Sequence, residues 1–114
     1  MELDLYQVDA FASQTFSGNP AAVCPLDNWL PDGLMQKIAQ ENNLAETAFF
    51  VKEADGYYIR WFTPTTEVSL CGHATLASAF ILFEKLGYTK NSIHFQCKSG
   101  PLSVKKENGL LQLN

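Results

Sequence analysis

Cys71, Gly72 and His73 stand together directly ahead of a long apolar run, and no other stretch gathers so many chemically capable residues. If that run is a helix, the three residues form its start. A helix N-terminus offers free backbone N–H groups and a partial positive charge, which together suit a carboxylate or another anion. The imidazole of His73 adds a hydrogen-bonding partner, and a helix N-terminus favours its neutral form. A metal site is the weakest reading of these residues, and no metal is expected. Cys71 and His73 are two apart, where side chains on a helix diverge, and adding His94 still leaves no convincing third and fourth ligand. The seven glycines are dispersed, so phosphate loops and dinucleotide fingerprints are absent.

The element that must position these residues is unusually apolar. Ala74, Leu76, Ala77, Ala79, Phe80, Ile81, Leu82 and Phe83 cover every face of a helix that carries no charge until Glu84, and Gly87 stands where a left-handed C-cap would close it. A surface helix shows one apolar stripe, so this one is predicted to be the core, wrapped by strands. Its apolar run is too short for the roughly 20 residues that a bilayer requires. Residues 32–42 instead place Leu34, Met35, Ile38 and Ala39 at helical spacing, with Lys37 and Gln40 outward, which predicts an ordinary amphipathic helix packed on the outside.

Strands are predicted at residues 3–12, 21–26, 45–51, 57–62, 92–97, 102–105 and 110–113. Turns are read at Ser17-Gly18-Asn19-Pro20, Ala54-Asp55-Gly56 and Ser99-Gly100-Pro101, with Asn108-Gly109 as a type I′ hairpin signal. Thr63-Pro64-Thr65-Thr66 breaks a strand and hands the chain to the apolar helix.

A chain of 114 residues with 46% hydrophobic content predicts one globular domain spanning 1–114. Eight basic against twelve acidic residues give a net charge of −4 with no basic run, which disfavours nucleic-acid binding. Cys24, Cys71 and Cys97 are an odd count without metal-ligand spacing, so a reducing compartment is expected rather than a disulfide framework. The opening residues Met1-Glu2-Leu3-Asp4-Leu5-Tyr6 lack the basic and apolar regions of a signal peptide, and the expected location is cytoplasmic.

Several separated motifs then appear in order: Asp9-Ala10-Phe11; Phe16-x-Gly18-Asn19-Pro20-Ala21-Ala22-Val23; Asn43-Leu44-Ala45-Glu46-Thr47-Ala48-Phe49; and Arg60-x-Phe62-Thr63-Pro64-x-x-Glu67-Val68-x-Leu70-Cys71-Gly72-His73-Ala74-Thr75. Together they resemble the PhzF, or phenazine-biosynthesis-like, family. The resemblance implies an α+β fold of the diaminopimelate-epimerase type, in which each of two similar halves wraps a mixed, mostly antiparallel sheet as a roll around a central buried helix. Family members run to more than twice this length, and the likeness covers an N-terminal half.

The resemblance also implies site residues. It places the family's acid/base glutamate on Glu46, and Leu44, Phe49 and Phe50 predict that this carboxylate is partly buried rather than solvated at a strand edge. That suits proton removal from carbon, for which a base works best with its pKa near the working pH, commonly by burial. It puts His73 in the substrate site, with Gly72 leaving room for a substrate carboxylate to reach backbone N–H groups. Cys71 has three readings: a small buried residue, a substrate contact, or a thiolate base like that of diaminopimelate epimerase. The last is weakened because His73 stands where the epimerase motif has Asn. Asn19 is either a turn residue or a contact at the edge of the site, and Asp9 orders the neighbouring loop.

The function so implied is a cofactor-independent isomerase or epimerase that moves a proton on a small carboxylated metabolite. The alternative is a catalytically incomplete half-domain that acts as a binding or structural module, paired with itself as a homodimer or with a separate second half.

Overall fold

The computed structural model describes residues 3–8 and 20–114. Helix α2 (Gly72–Glu84) buries Ala74, Thr75, Leu76, Ala77, Ser78, Ala79, Ile81 and Leu82, as expected of a helix that is apolar on every face. Its two buried hydroxyls cause no penalty, because each bonds back into the helix. Thr75 Oγ1 donates to the Cys71 carbonyl at 2.7 Å and Ser78 Oγ to the Ala74 carbonyl at 2.9 Å. The helix stops at Glu84, and Gly87 follows at φ 76°, where the Tyr88 N–H turns back onto the Leu82 carbonyl at 3.0 Å.

Around this helix run β1 (Tyr6–Val8), β2 (Ala21–Leu26), β3 (Glu46–Glu53), β4 (Gly56–Phe62), β5 (Glu67–Val68), β6 (Ser92–Cys97), β7 (Gly100–Glu107) and β8 (Leu110–Leu113). They form one sheet in the order β1-β2-β3-β4-β6-β7-β8, with β5 on β4. Among the described residues β2–β3 and β4–β6 pair in parallel, and the other pairings are antiparallel. α2 packs against β2 and β3 and also against β8, which lies at the far end of the strand order. One helix can touch both ends only if the sheet curls around it. The architecture is therefore the expected α+β roll: a mixed, mostly antiparallel sheet about a buried helix.

Helix α1 (Asp32–Asn42) lies outside the roll and buries Met35 and Ala39. Strand β3 serves both cores, because successive side chains point to opposite faces. Ala48 and Phe50 join the cluster around α2, whereas Phe49 and Val51 join Cys24, Leu26, Met35, Ala39 and Phe62 beneath α1.

Several boundaries differ from the sequence reading, β3 and β7 running on to Glu53 and Glu107. The first strand spans Tyr6–Val8 within the described residues; residues 9–12, and the predicted turn up to Asn19, lie outside them. The turn read at Ser99-Gly100-Pro101 is narrower, because Cys97 already pairs with Gly100 and Gln96 with Pro101. Gly100 takes φ 115°, and Pro101 lies beyond the β8 pairing, which starts at Val104, so its missing N–H costs no ladder bond there. Strand β5 went unread, since two residues carry no periodicity. The Asn108-Gly109 signal holds, with φ 54° and 80°, the positive pair that a type I′ turn needs. Gly56 has a different constraint: an added Cβ would run into the His94 backbone carbonyl. No helix among the described residues is long and apolar enough to cross a membrane.

Candidate active site at the start of the buried helix

The segment ahead of α2 is held by its own side chains. After β4 the Thr63 N–H donates to the Thr66 carbonyl at 2.8 Å, and Thr63 Oγ1 accepts from the Thr66 N–H at 3.1 Å. This turn returns the chain as β5, pairing Phe62 with Glu67 and Trp61 with Val68. Arg60 then clamps the return: Nε and Nη2 each donate to Glu67 at 2.8 Å, while Nη1 donates to Asp32 at 3.0 Å. The guanidinium also lies over the rings of Trp29 and Phe62, 5.5 Å from each centroid. Hydrogen bonding from Arg60 holds the carboxyls of Glu67 and Asp32 below their ordinary values. Ser99 Oγ pins the Ser69 carbonyl at 2.9 Å, one residue before the exposed Leu70 and two before Cys71.

Cys71 is the N-cap of α2 in extended backbone, φ −146° and ψ 102°, and its side chain makes no capping bond. It is therefore not subject to helical spacing. Contrary to the expectation that Cys71 and His73 diverge, Cys71 Sγ lies 3.6 Å from His73 Nδ1. The other ring nitrogen of His73, Nε2, lies 2.7 Å from Oε1 of Glu46, the first residue of β3. That is a direct side-chain contact of hydrogen-bond length. Both side chains keep 19% of their surface exposed, while the two atoms that meet are buried. One ligating atom from each of Glu46, Cys71 and His73 falls within 4.8 Å of the others.

Burial pushes the Cys71 thiol up to about 11; the Ala74 N–H opposes this and the charge of Glu46 adds to it. The carboxylate beside it offsets what a helix N-terminus does for a thiolate, so Cys71 is a thiol at neutral pH. The end of α1 braces the start of β3, with Asn42 Nδ2 donating to Thr47 Oγ1 at 3.2 Å.

Glu46, Cys71 and His73 are thus brought together from two elements separated by β4 and β5. Gly72 accompanies them at the helix start, and the direction of its absent Cβ is toward Leu113, 3.3 Å from Cδ2. The residue is small where α2 meets β8. Asn19 and Asp9 lie outside the described residues. His94 is exposed on β6 opposite Ser103 and borders a separate open cleft of about 580 Å³ that also includes Gly56 and Asn114. The Arg60–Glu67–Asp32 cluster was missed as a unit. Its signal was present, since Arg60 and Glu67 are opposite charges flanking the Thr63-Pro64 turn.

Comparison with known proteins places the fold. The family model described as phenazine biosynthesis-like protein matches residues 8–112. An uncharacterised isomerase of Pseudomonas aeruginosa is 55% identical over 114 residues, covering 100% of this chain and 44% of that relative. The crystal structure of a PhzF-family phenazine biosynthesis protein from Enterococcus faecalis superimposes with a TM-score of 0.88 at 56% identity, over 95% of this chain and 42% of that one. A predicted epimerase from Pseudomonas aeruginosa does so with a TM-score of 0.75 at 25% identity, over 96% and 41%. The chain therefore spans less than half the length of these relatives. With motifs, roll and match in register over residues 8–112, the chain belongs to the phenazine biosynthesis-like, or PhzF, family.

Proposed function

We propose that this chain carries the acid/base side of an isomerase that moves a proton on a small carboxylated metabolite without a cofactor. The observation that carries the reading is the 2.7 Å approach of Glu46 to His73 at the start of α2. In this reading Glu46 takes a proton from a carbon next to an electron-withdrawing group. The C–H electron pair is delocalised onto that group, and the protonated carboxyl returns the proton at another carbon on the same face of the substrate. His73 and the backbone N–H groups around Gly72 receive the substrate carboxylate at the positive end of the helix, and Asn19 contacts it from the edge. Cys71 contacts the substrate as a thiol without transferring a proton. The names of the Pseudomonas aeruginosa relatives, an isomerase and a predicted epimerase, support the same class. The protein acts in the cytoplasm, on a metabolite rather than on nucleic acid or membrane.

The test is solvent deuterium incorporation into a panel of small carboxylated metabolites, using this chain alone and joined to a second half of the length its relatives have. Exchange that depends on Glu46 is the expected result; a panel that stays unlabelled with the longer chain refutes the reading.

A second reading has its own observation. Among the described residues β8 pairs with β7 alone, and its Leu110 is 70% exposed; an open strand edge invites pairing with another chain. The chain would then act as a binding half, as a homodimer or with a separate second half, and a sedimentation measurement giving a monomer at all concentrations removes the homodimer.

A further inference from the structure

We propose that Glu46, Cys71 and His73 form a binding site for a thiophilic divalent cation, Zn²⁺, which occupies the candidate active site as a blocker and not as a cofactor. A tetrahedral zinc with bonds of about 2.3 Å to sulfur and about 2.0 Å to nitrogen holds those two atoms about 3.6 Å apart. Cys71 Sγ and His73 Nδ1 already stand 3.6 Å apart. One ligating atom from each of Glu46, Cys71 and His73 lies within 4.8 Å of the others; Glu46 now meets the opposite ring nitrogen, Nε2, at 2.7 Å, so its side chain must give up that contact and swing around the imidazole to reach the ion. One sulfur, one nitrogen and one oxygen donor select zinc over magnesium or calcium, which prefer all-oxygen sites.

The expectation of no metal rested on Cys71 and His73 diverging on a helix and on the want of a convincing third and fourth ligand. Cys71 is instead an extended N-cap, and β3 brings a third donor. The scaffold is stiff on both sides: β3 is paired with β2 and β4, and the Cys71 carbonyl accepts the Thr75 N–H and hydroxyl. Three protein ligands leave a fourth position for water, on the side where Glu46 and His73 remain partly exposed. Binding exchanges the thiol proton for the metal and releases it to the buffer. That the ion blocks catalysis rests on the isomerase reading; that it binds does not.

The experiment is a titration of the metal-free protein with Co²⁺, then Zn²⁺, under a non-coordinating reductant, read by the thiolate-to-cobalt charge-transfer band. One Co²⁺ per chain, displaced by Zn²⁺, is expected. The band should vanish in Cys71→Ser and persist in Cys24→Ala and Cys97→Ala, with affinity falling about tenfold or more in His73→Ala and Glu46→Gln. Far-UV circular dichroism identifies any variant that fails to fold, and His73→Ala together with Glu46→Gln decides the matter if Cys71→Ser is such a variant. No band, a band that survives Cys71→Ser, or unchanged affinity in both of the other ligand variants overturns the proposal. Zn²⁺ binding by a chain that, joined to a second half and freed of metal, exchanges no substrate proton would keep the cation site and remove the isomerase reading.

Discussion

Glu67 and Glu46 are both half-sheltered carboxylates that meet a nitrogen base within 2.8 Å, and their surroundings give them different work. Glu67 receives two parallel N–H bonds from a guanidinium that is also held by Asp32 and two aromatic rings. Such a fork satisfies both oxygens and fixes the geometry, so the pair acts as a clamp on the β4–β5 return. Glu46 meets one nitrogen of an imidazole at 2.7 Å, with a thiol nearby. It stands at the positive end of a buried helix, a position that receives an anion. The contrast teaches that a carboxylate forked to a guanidinium positions the backbone, whereas one that meets an imidazole and a thiol at a helix start is placed to act on something that arrives.

Substitutions break this comparison in a definite order. The largest effect is expected for Glu46→Gln, which should cut proton exchange by roughly 10²–10⁴-fold, the usual contribution of a general acid/base, with little change in melting temperature; deuterium incorporation and a thermal melt measure the two together. Arg60→Ala should do the reverse. Losing charged hydrogen bonds from a guanidinium that is 15% exposed should cost about 2 kcal/mol of stability in denaturant titrations, and exchange per folded molecule should survive if the loop finds its place. A Glu46→Gln variant as unstable as Arg60→Ala would erase the distinction.

A smaller effect concerns acid. The Glu67 carboxyl in the folded chain lies below its ordinary 4.5, held there by Arg60, so the clamp is fully stabilising above about pH 4.5 and weakens as pH falls through the lower folded value. Wild-type stability should therefore decline below that pH more steeply than that of Glu67→Gln, as equilibrium unfolding at stepped pH would reveal. The smallest effect is expected at Cys71. With its thiol pushed up to about 11, alkylation at neutral pH should be slow until the chain unfolds. Cys71→Ala should lose far less than the roughly hundredfold that removing a proton-transfer group costs; a larger loss would make Cys71 a base after all.

The same contrast separates what was legible in the chain. The places of the two helices could be read because they announce different environments: α2 is apolar on every face and α1 on one stripe, and burial follows directly; the roll itself was implied by the family resemblance. Glu46 and His73 could be named from their motifs, yet nothing in their 27-residue separation said that they touch. The divergence expected of Cys71 and His73 failed at one backbone residue, since a single extended N-cap overrides helical spacing. Arg60 and Glu67 were visible as letters of a motif without a stated role, because a clamp exists only once β4 and β5 are paired.

By itself, the sequence determined the periodicities, the caps and turns, and the residue types able to do chemistry, for these are local properties of a chain in water. Only the tertiary structure decided which of those residues meet. The parallel pairing of β2 with β3 and the curl of the sheet about α2 bring the first residue of one strand to the first turn of a distant helix. Such encounters depend on long-range register, and no stretch of sequence encodes that alone.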